Sequence, residues 1–335
     1  MVKAKKYVVT SRFKGMPKLE DFNVVEEELP PLKDGEVLVK TEWISVDPYL
    51  RTYNPHISLP YDQFGNQIGE VLESKNDNYP VGTKVVSHKG WRDYSVFNPN
   101  DSTDQLDRAY KLPDLQGLSE SLGIGAVGMP GATAYFGFLE ICKPKAGETV
   151  VVTGAAGAVG SIVGQIAKIK GCKVIGFAGS DDKVQWLEKD LGFDKAINYK
   201  TADVLKELKQ AAPKGIDCYF DNVGGELSSI IISLMNLYGR VSVCGMISSY
   251  NSDSGQSPKG TLVQPSIVFN QLKIEGFVVA RWVSEWPDAF NELVQWIKNG
   301  KLKAKEHVTE GFDRLFDAFV GMLAGDNFGK AVVKV

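Results

Sequence analysis

Cysteine is scarce, and what there is does not pair. Cys142, Cys172, Cys218 and Cys244 stand far apart, with no Cys-x-x-Cys spacing and no histidine beside any of them. That pattern builds neither a disulfide framework nor a zinc knuckle, and the apolar neighbours of each point to reduced, buried thiols. An excess of either charge is lacking too. The 38 Lys and Arg against 41 Asp and Glu leave a formal net charge of -3, no basic field for a polyanion, so no nucleic acid is expected as a partner. No apolar run approaches the roughly 20 residues of a membrane span. The opening Met1-Val2-Lys3-Ala4-Lys5-Lys6 leads into a strand-like Tyr7-Val8-Val9 rather than the apolar stretch of a secretion signal. These absences predict a cytoplasmic protein without membrane contact.

What is present is ordinary globular chemistry: 335 residues, 43% hydrophobic and 24% charged, long enough for two domains with cores of their own. Up to about residue 125 the chain reads as short strands (24–29, 37–44, 67–74, 84–87) separated by glycine and proline turns, a β-rich domain. From residue 149 strands and helices alternate. Strands are expected at 149–153, 172–178, 196–199, 216–220, 240–244 and 274–279, with helices at 158–170, 181–191, 202–211 and 227–237. Such alternation predicts an α/β fold, a doubly wound parallel sheet with right-handed crossovers. A helix at 312–323 and a strand at 330–335 follow, and that strand could pair back into the first domain.

Gly154-Ala155-Ala156-Gly157-Ala158-Val159-Gly160 joins the first buried strand to its helix. Glycine spacing of this kind between strand and helix lets a pyrophosphate approach backbone N–H groups at a helix N-terminus. An NAD site would place Asp or Glu at the end of the second strand to accept from the ribose hydroxyls. Here the chain reads Phe177-Ala178-Gly179-Ser180, with nothing to oppose a 2′-phosphate and Lys183 near enough to pair with one. The expected cofactor is NADPH.

With that turn, Ser180-Asp181-Asp182-Lys183, Asn198-Tyr199-Lys200 and Asp217-Cys218-Tyr219-Phe220-Asp221-Asn222-Val223-Gly224-Gly225, the chain resembles the prostaglandin reductase and alkenal reductase family. These are zinc-independent medium-chain dehydrogenases/reductases. Val46-Asp47-Pro48-Tyr49-Leu50-Arg51 and Phe277-Val278-Val279-Ala280-Arg281-Trp282 extend the similarity over nearly the whole length. The resemblance implies a GroES-like catalytic domain at residues 1–125, completed by 305–335, and a Rossmann domain at 126–304. It implies pyrophosphate on Gly157, Ala158, Val159 and Gly160, and the 2′-phosphate on Lys183 and Tyr199. Around ribose and nicotinamide it implies Asn222, Cys244, Gly245, Met246, Ile247, Ser248, Ser249, Tyr250, Phe277, Val278, Val279 and Asn327. For Cys244, Met246 and Val278 the competing expectation is a place in the core. A homodimer is also expected.

Zinc-dependent relatives would show a cysteine and a Gly-His-Glu where this chain has Ile44 and Gly65-Asn66-Gln67, so no metal is expected. His56, His88 and His307 read as surface or locally hydrogen-bonded side chains. Without a metal or a Ser/Tyr/Lys carbonyl-reductase motif, the chemistry the chain is equipped for is reduction of a conjugated C=C in an enone or enal. Hydride attacks the β-carbon, and a neutral donor stabilises the enolate oxygen. The candidate donors are Tyr250, expected to carry more of that stabilisation, Tyr49 as its substitute, and the cofactor's ribose hydroxyl. Family members often carry a further tyrosine where this chain has Phe269. Two alternatives stay open: an NADPH quinone reductase, and an NADPH-binding protein without turnover.

Overall fold

The structure, a computed structural model, describes residues 2–101, 107–251 and 261–335. They fall into two units, one comprising the described residues up to Gly128 together with Glu306–Val335, the other Met129–Lys305.

The first unit begins with β1 (Lys3–Val9), β2 (Phe22–Glu28), β3 (Val37–Ser45), α1 (Tyr49–Thr52) and β4 (Tyr61–Asp62). It continues through β5 (Gln67–Ser74), β6 (Lys84–Ser87), β7 (Tyr94–Phe97) and β8 (Tyr110–Lys111). β1 pairs antiparallel with β2 and β4, and β3 pairs antiparallel with β5 and β7. Its largest core cluster is aromatic. The fully buried Trp91 meets Tyr7 edge-on at 5.5 Å between centroids and stacks on Phe22 at 5.9 Å.

The second unit runs α2 (Met129–Cys142), β9 (Thr149–Val152), α3 (Gly160–Ile169), β10 (Lys173–Ala178), α4 (Asp181–Lys189), β11 (Lys195–Asn198) and α5 (Val204–Ala211). Then come β12 (Ile216–Asp221), α6 (Gly225–Ser233), β13 (Met235–Val243), α7 (Gln264–Phe269), β14 (Lys273–Gly276) and α8 (Trp286–Lys298). Its sheet is parallel, in the order β11-β10-β9-β12-β13-β14. That is the Rossmann order, reversing between β9 and β12, and the carboxyl ends of those strands are where doubly wound sheets receive ligands. All four residues of β9 are buried, as the continuous apolar run requires when helices cover both faces.

The chain then returns to the first unit as β15 (Glu306–Glu310), α9 (Leu315–Ala324) and β16 (Lys330–Lys334). β16 lies between β15 and β3, with Val333 opposite Ile44, so the expected terminal strand does pair with the β-rich sheet. From α9, Phe319 meets Trp91 edge-on at 5.5 Å.

Three expectations are corrected. The helix expected at 227–237 ends at Ser233, because Met235 already pairs in β13 and Tyr238 takes a left-handed φ of 62° that no helix accommodates. The strand expected at 274–279 stops at Gly276. Phe277 leaves it to seat its ring over Gly137, where an added Cβ would lie 2.2 Å from the Phe277 Cζ. No element was expected over α2 or α8. α2 is buried nearly all round, so it carries no amphipathic period; α8 does carry one, in Trp286, Ala289, Phe290, Leu293 and Val294.

Lys330 is buried in the first unit. Its Nζ lies 2.9 Å from Asp47 Oδ1 and donates to the carbonyls of Val46 at 2.6 Å and Ala331 at 2.9 Å. The Asp47 carboxylate also accepts from the Ser45 hydroxyl. A buried pair of this kind is costly to break from one side, because the remaining charge stays desolvated. Lys330→Met should destabilise the protein by about 3 to 5 kcal/mol in urea unfolding, and Asp47→Asn in the same chain should recover part of that loss.

Candidate functional site

The glycine turn between β9 and α3 is tightly closed. Gly154 sits at φ +59°, and an added Cβ at Gly160 would fall 2.3 Å from the Gly154 carbonyl oxygen, so any side chain at Gly160 would prise the helix from the turn. Val159 precedes α3 without a side-chain cap, leaving the helix N-terminus to an anion. Gly157, Ala158, Val159 and Gly160 therefore form a turn of the shape a pyrophosphate requires.

Beside it, Asp221 organises two loops. Its buried carboxylate accepts from Thr153 Oγ1 at 3.2 Å, from the Val223 and Gly224 N–H groups at 2.9 and 2.8 Å, and from Ser228 Oγ at 2.7 Å. Its carbonyl accepts from the N–H groups of Cys244 and Gly245. Asn222 is fixed by its Nδ2 donating to the Thr153 carbonyl at 2.7 Å. Ile247 N–H donates to the Asn222 carbonyl, and Ser248 donates both its N–H and its hydroxyl to that of Val223. Ser249 Oγ donates to the Met246 carbonyl at 2.9 Å, and the Tyr250 hydroxyl accepts from the Met246 N–H at 3.4 Å. Asn222 and the run from Cys244 to Tyr250 are thus one knitted platform at the carboxyl ends of β12 and β13. Burial and the field of Asp221 push the Cys244 thiol up to about 12. Met246 is 56% exposed and Val278 61%, so neither takes the core place that was their competing expectation.

At the end of β10, Gly179 is bordered by Tyr199, one of the two residues expected to meet a 2′-phosphate, and by Lys200, for which no such role was expected. An added Cβ there would lie 3.1 Å from the Tyr199 hydroxyl and 3.2 Å from Lys200 Cε. Ser180 caps α4, accepting from the Lys183 N–H at 3.4 Å, and Asp181 is engaged by Asn198 Nδ2 at 2.7 Å. No carboxylate replaces Gly179. The Phe277 ring packs inward against Phe220 and Trp282, and Val279 is buried. Asn327 belongs to the first unit, where its Nδ2 donates to the Gly329 carbonyl at 2.7 Å and it lines a cavity of about 180 Å³ with His307 and Asp326.

Tyr49 also belongs to the first unit. Asp47-Pro48 opens α1, with Pro48 at the helix start. Arg51 anchors α1 by donating to the Gly15 and Phe13 carbonyls. The Tyr49 hydroxyl lies 3.3 Å from His88 Nε2, and His88 Nδ1 lies 2.6 Å from Asp107 Oδ1. Burial, reinforced by Asp47, Asp107 and Tyr53, pushes the Tyr49 hydroxyl well above the usual tyrosine value and keeps it protonated. Phe64 and Tyr53 complete an aromatic cluster around it. Ile44 and Gln67, at the positions where zinc-dependent relatives would place ligands, are buried cross-strand partners on β3 and β5. Among the described residues no three His, Cys, Asp or Glu side chains converge as a metal-ligand set, and no helix is long and apolar enough to cross a membrane.

Asp221, His88, Asp107 and Lys200 carry no expected role in the sequence reading. Asp221 stands inside a motif that was read, next to Asn222; the other three acquire partners only through the fold.

The family model described as the N-terminal domain of oxidoreductase matches residues 5–104, and that described as zinc-binding dehydrogenase matches 158–299. Prostaglandin reductase 1 of Bos taurus is 50% identical, covering 100% of both chains. The chain belongs to the prostaglandin and alkenal reductase family. Within this family, the NADP(+)-dependent 2-alkenal reductase of Nicotiana tabacum is 37% identical over 100% of this chain and 98% of its own. The crystal structure of CurA from Vibrio vulnificus in complex with NADPH superposes with a TM-score of 0.88 at 34% identity, covering 99% of each chain. The family's medium-chain dehydrogenase/reductase fold, with a β-rich unit and a Rossmann unit, is the fold described above.

Proposed function

We propose that the protein is an NADPH-dependent reductase of the C=C bond in α,β-unsaturated aldehydes and ketones, among them lipid enones of the 15-oxoprostaglandin type. The observation that carries this reading is the missing acid at the end of β10: Gly179 stands where an NAD-selective site would hold a carboxylate, and the Tyr199 hydroxyl and Lys200 border it. The names of its relatives, a prostaglandin reductase and an alkenal reductase, and the NADPH carried by CurA support the same reaction.

When bound, NADPH supplies hydride to the substrate's β-carbon. Gly157, Ala158, Val159 and Gly160 would seat the pyrophosphate, Lys183 and Tyr199 would hold the 2′-phosphate, and Asn222 with the run Cys244–Tyr250 and Phe277–Val279 would position the ribose and nicotinamide. The remaining requirement is a donor for the enolate oxygen. Of the two tyrosines, Tyr49 suits that role better, because burial holds it protonated and its hydroxyl lies against His88, a side chain able to return a proton, whereas the Tyr250 hydroxyl accepts from a backbone N–H, which has no proton to give up. Phe269, in the place of the family's further tyrosine, is 79% exposed on α7 and donates nothing. Phe269, Val268 and Leu262 expose apolar surface near β14, which among the described residues is an unpaired edge strand. Such an edge with apolar neighbours invites pairing with a second copy, which supports a homodimer.

Lys183→Ala should weaken NADPH binding by about 1.5 to 3 kcal/mol, the worth of a charged hydrogen bond, and leave NADH binding unchanged; equal losses for both would remove Lys183 from the phosphate site. With NADPH and an enone, wild-type protein should consume the cofactor and release the saturated ketone. Tyr49→Phe should cut kcat on the order of a hundred- to a thousandfold, the effect of losing one oxyanion donor, with NADPH affinity retained. Tyr250→Phe should cost far less, and the reverse order would make Tyr250 the donor. Sedimentation should give twice the mass of one chain, and Phe269→Asp should lower it to that of one; a wild-type monomer rules the dimer out.

A further inference from the structure

We propose that His88 and Asp107 form a proton-supply chain ending at the Tyr49 hydroxyl, which makes protonation of the enolate a relay through the protein. The proposal rests on Tyr49 as the donor and adds where its proton comes from.

The geometry is a continuous line of hydrogen-bonding groups. Asp107 Oδ1 lies 2.6 Å from His88 Nδ1, and His88 Nε2 lies 3.3 Å from the Tyr49 hydroxyl. The imidazole is held flat by its neighbours: the Tyr49 ring stacks at 6.5 Å with an interplanar angle of 20°, and the Phe64 ring lies at 5.7 Å. The environment grades from interior to solvent along the line. The His88 side chain is 16% exposed and that of Asp107 54%, so the chain begins at the surface and ends on a partly buried phenol. Its hydrogen bond to His88 holds the Asp107 carboxyl below the usual carboxylate range, with the imidazolium field in the same direction and partial burial against it. A carboxylate fixed on Nδ1 orients the ring and turns Nε2 toward the Tyr49 hydroxyl.

The proton steps balance. Hydride reaching the β-carbon moves the C=C pair toward the carbonyl and leaves an enolate. The Tyr49 O–H bond breaks as its proton passes to the enolate oxygen, and the phenolate oxygen takes the Nε2 proton of the His88 imidazolium. The enol gains a proton from water at the α-carbon while its own O–H proton returns to water, giving the saturated carbonyl. Neutral His88 then recovers a proton from water. One hydride from NADPH and one proton from solvent are consumed for each C=C reduced. A chain without such a supply would leave Tyr49 as a phenolate in a half-buried aromatic cluster, where the cost of the charge slows the next turnover.

His88 and Asp107 are positioning residues, since they act through Tyr49. The groups that face His88 are Tyr49 from α1, Phe64 from the segment after β4, and Asp107 from the segment before β8. Neighbouring charges are Lys89, itself in the field of Arg92, Asp101 and Asp107, and Asp47, which acts on Tyr49.

The test is the pH dependence of kcat at saturating NADPH and enone for wild type, His88→Gln, Asp107→Asn, Tyr49→Phe and the His88→Gln/Tyr49→Phe double variant. Wild-type kcat should fall as pH rises and the imidazolium is lost. His88→Gln should lower kcat on the order of a hundredfold, leave KM nearly unchanged and abolish the pH-dependent fall. Asp107→Asn, a half-exposed position where folding is not at stake, should lower kcat less than His88→Gln does and leave KM nearly unchanged, because the imidazole loses the carboxylate that orients it. In the Tyr49→Phe background His88→Gln should add no further loss, because the relay has no end. If His88→Gln and Asp107→Asn keep wild-type kcat and pH profile while Tyr49→Phe is impaired, the relay is wrong and Tyr49 remains the donor. If Tyr49→Phe itself is unimpaired, the donor assignment fails, and the relay with it.

Discussion

The carboxylate of Asp221 is the interaction on which the nucleotide end of the Rossmann unit depends. It is buried at the carboxyl end of β12, where a lone charge would be expensive, and it is made tolerable by four donors: Thr153, Ser228 and two backbone N–H groups. Three separate segments are thereby bound to one point: the exit of β9, the loop after β12 and the first turn of α6. Asn222 is fixed because Thr153 is fixed, and the loop from Cys244 to Tyr250 is fixed because it hangs from the carbonyls of Asp221, Asn222 and Val223. A surface that must receive a flat ring and a ribose in one orientation is built rigid before any ligand arrives.

The two units divide the chemical labour by the kind of group each supplies. The Rossmann unit offers backbone N–H groups, glycine gaps and small polar side chains, which suit an anion and a sugar. The β-rich unit offers a phenol, an imidazole and a carboxylate, which suit proton transfer. No metal ligand set is needed for either task. Hydride addition to a conjugated alkene asks for a place to put negative charge on oxygen, and a neutral phenol meets that demand.

Much of this was legible in the sequence where the relevant contacts are local. The run Thr149–Val152, the glycine turn and the missing acid after Ala178 are neighbours in the chain, and their physics is written in their spacing. Gly179 illustrates the limit: its flanks predict a phosphate site, yet Lys200 joins it only because β11 runs beside β10. Phe277 shows the same limit from the other side. Its run reads as strand, but the slot over Gly137 on α2 takes its ring and ends β14 early. His88 is unreadable alone, since its partners come from α1 and from the segment before β8. α8 was within reach, because its apolar residues recur at helical spacing; α2 was not, because a helix buried on nearly every side has no polar face to betray it.

The return of the chain into its first sheet sets an order on biosynthesis. β3 leaves the ribosome early, but its partner β16 is made only after every strand of the Rossmann sheet. Phe319, which closes the cluster on Trp91, is equally late. The nucleotide-binding half can therefore complete its own sheet while still tethered, and the β-rich half waits with the Trp43, Ile44 and Ser45 end of β3 short of one partner and an aromatic core open on one side. That interval is when nascent chains of this protein are most exposed to one another, and when a chaperone has most to cover.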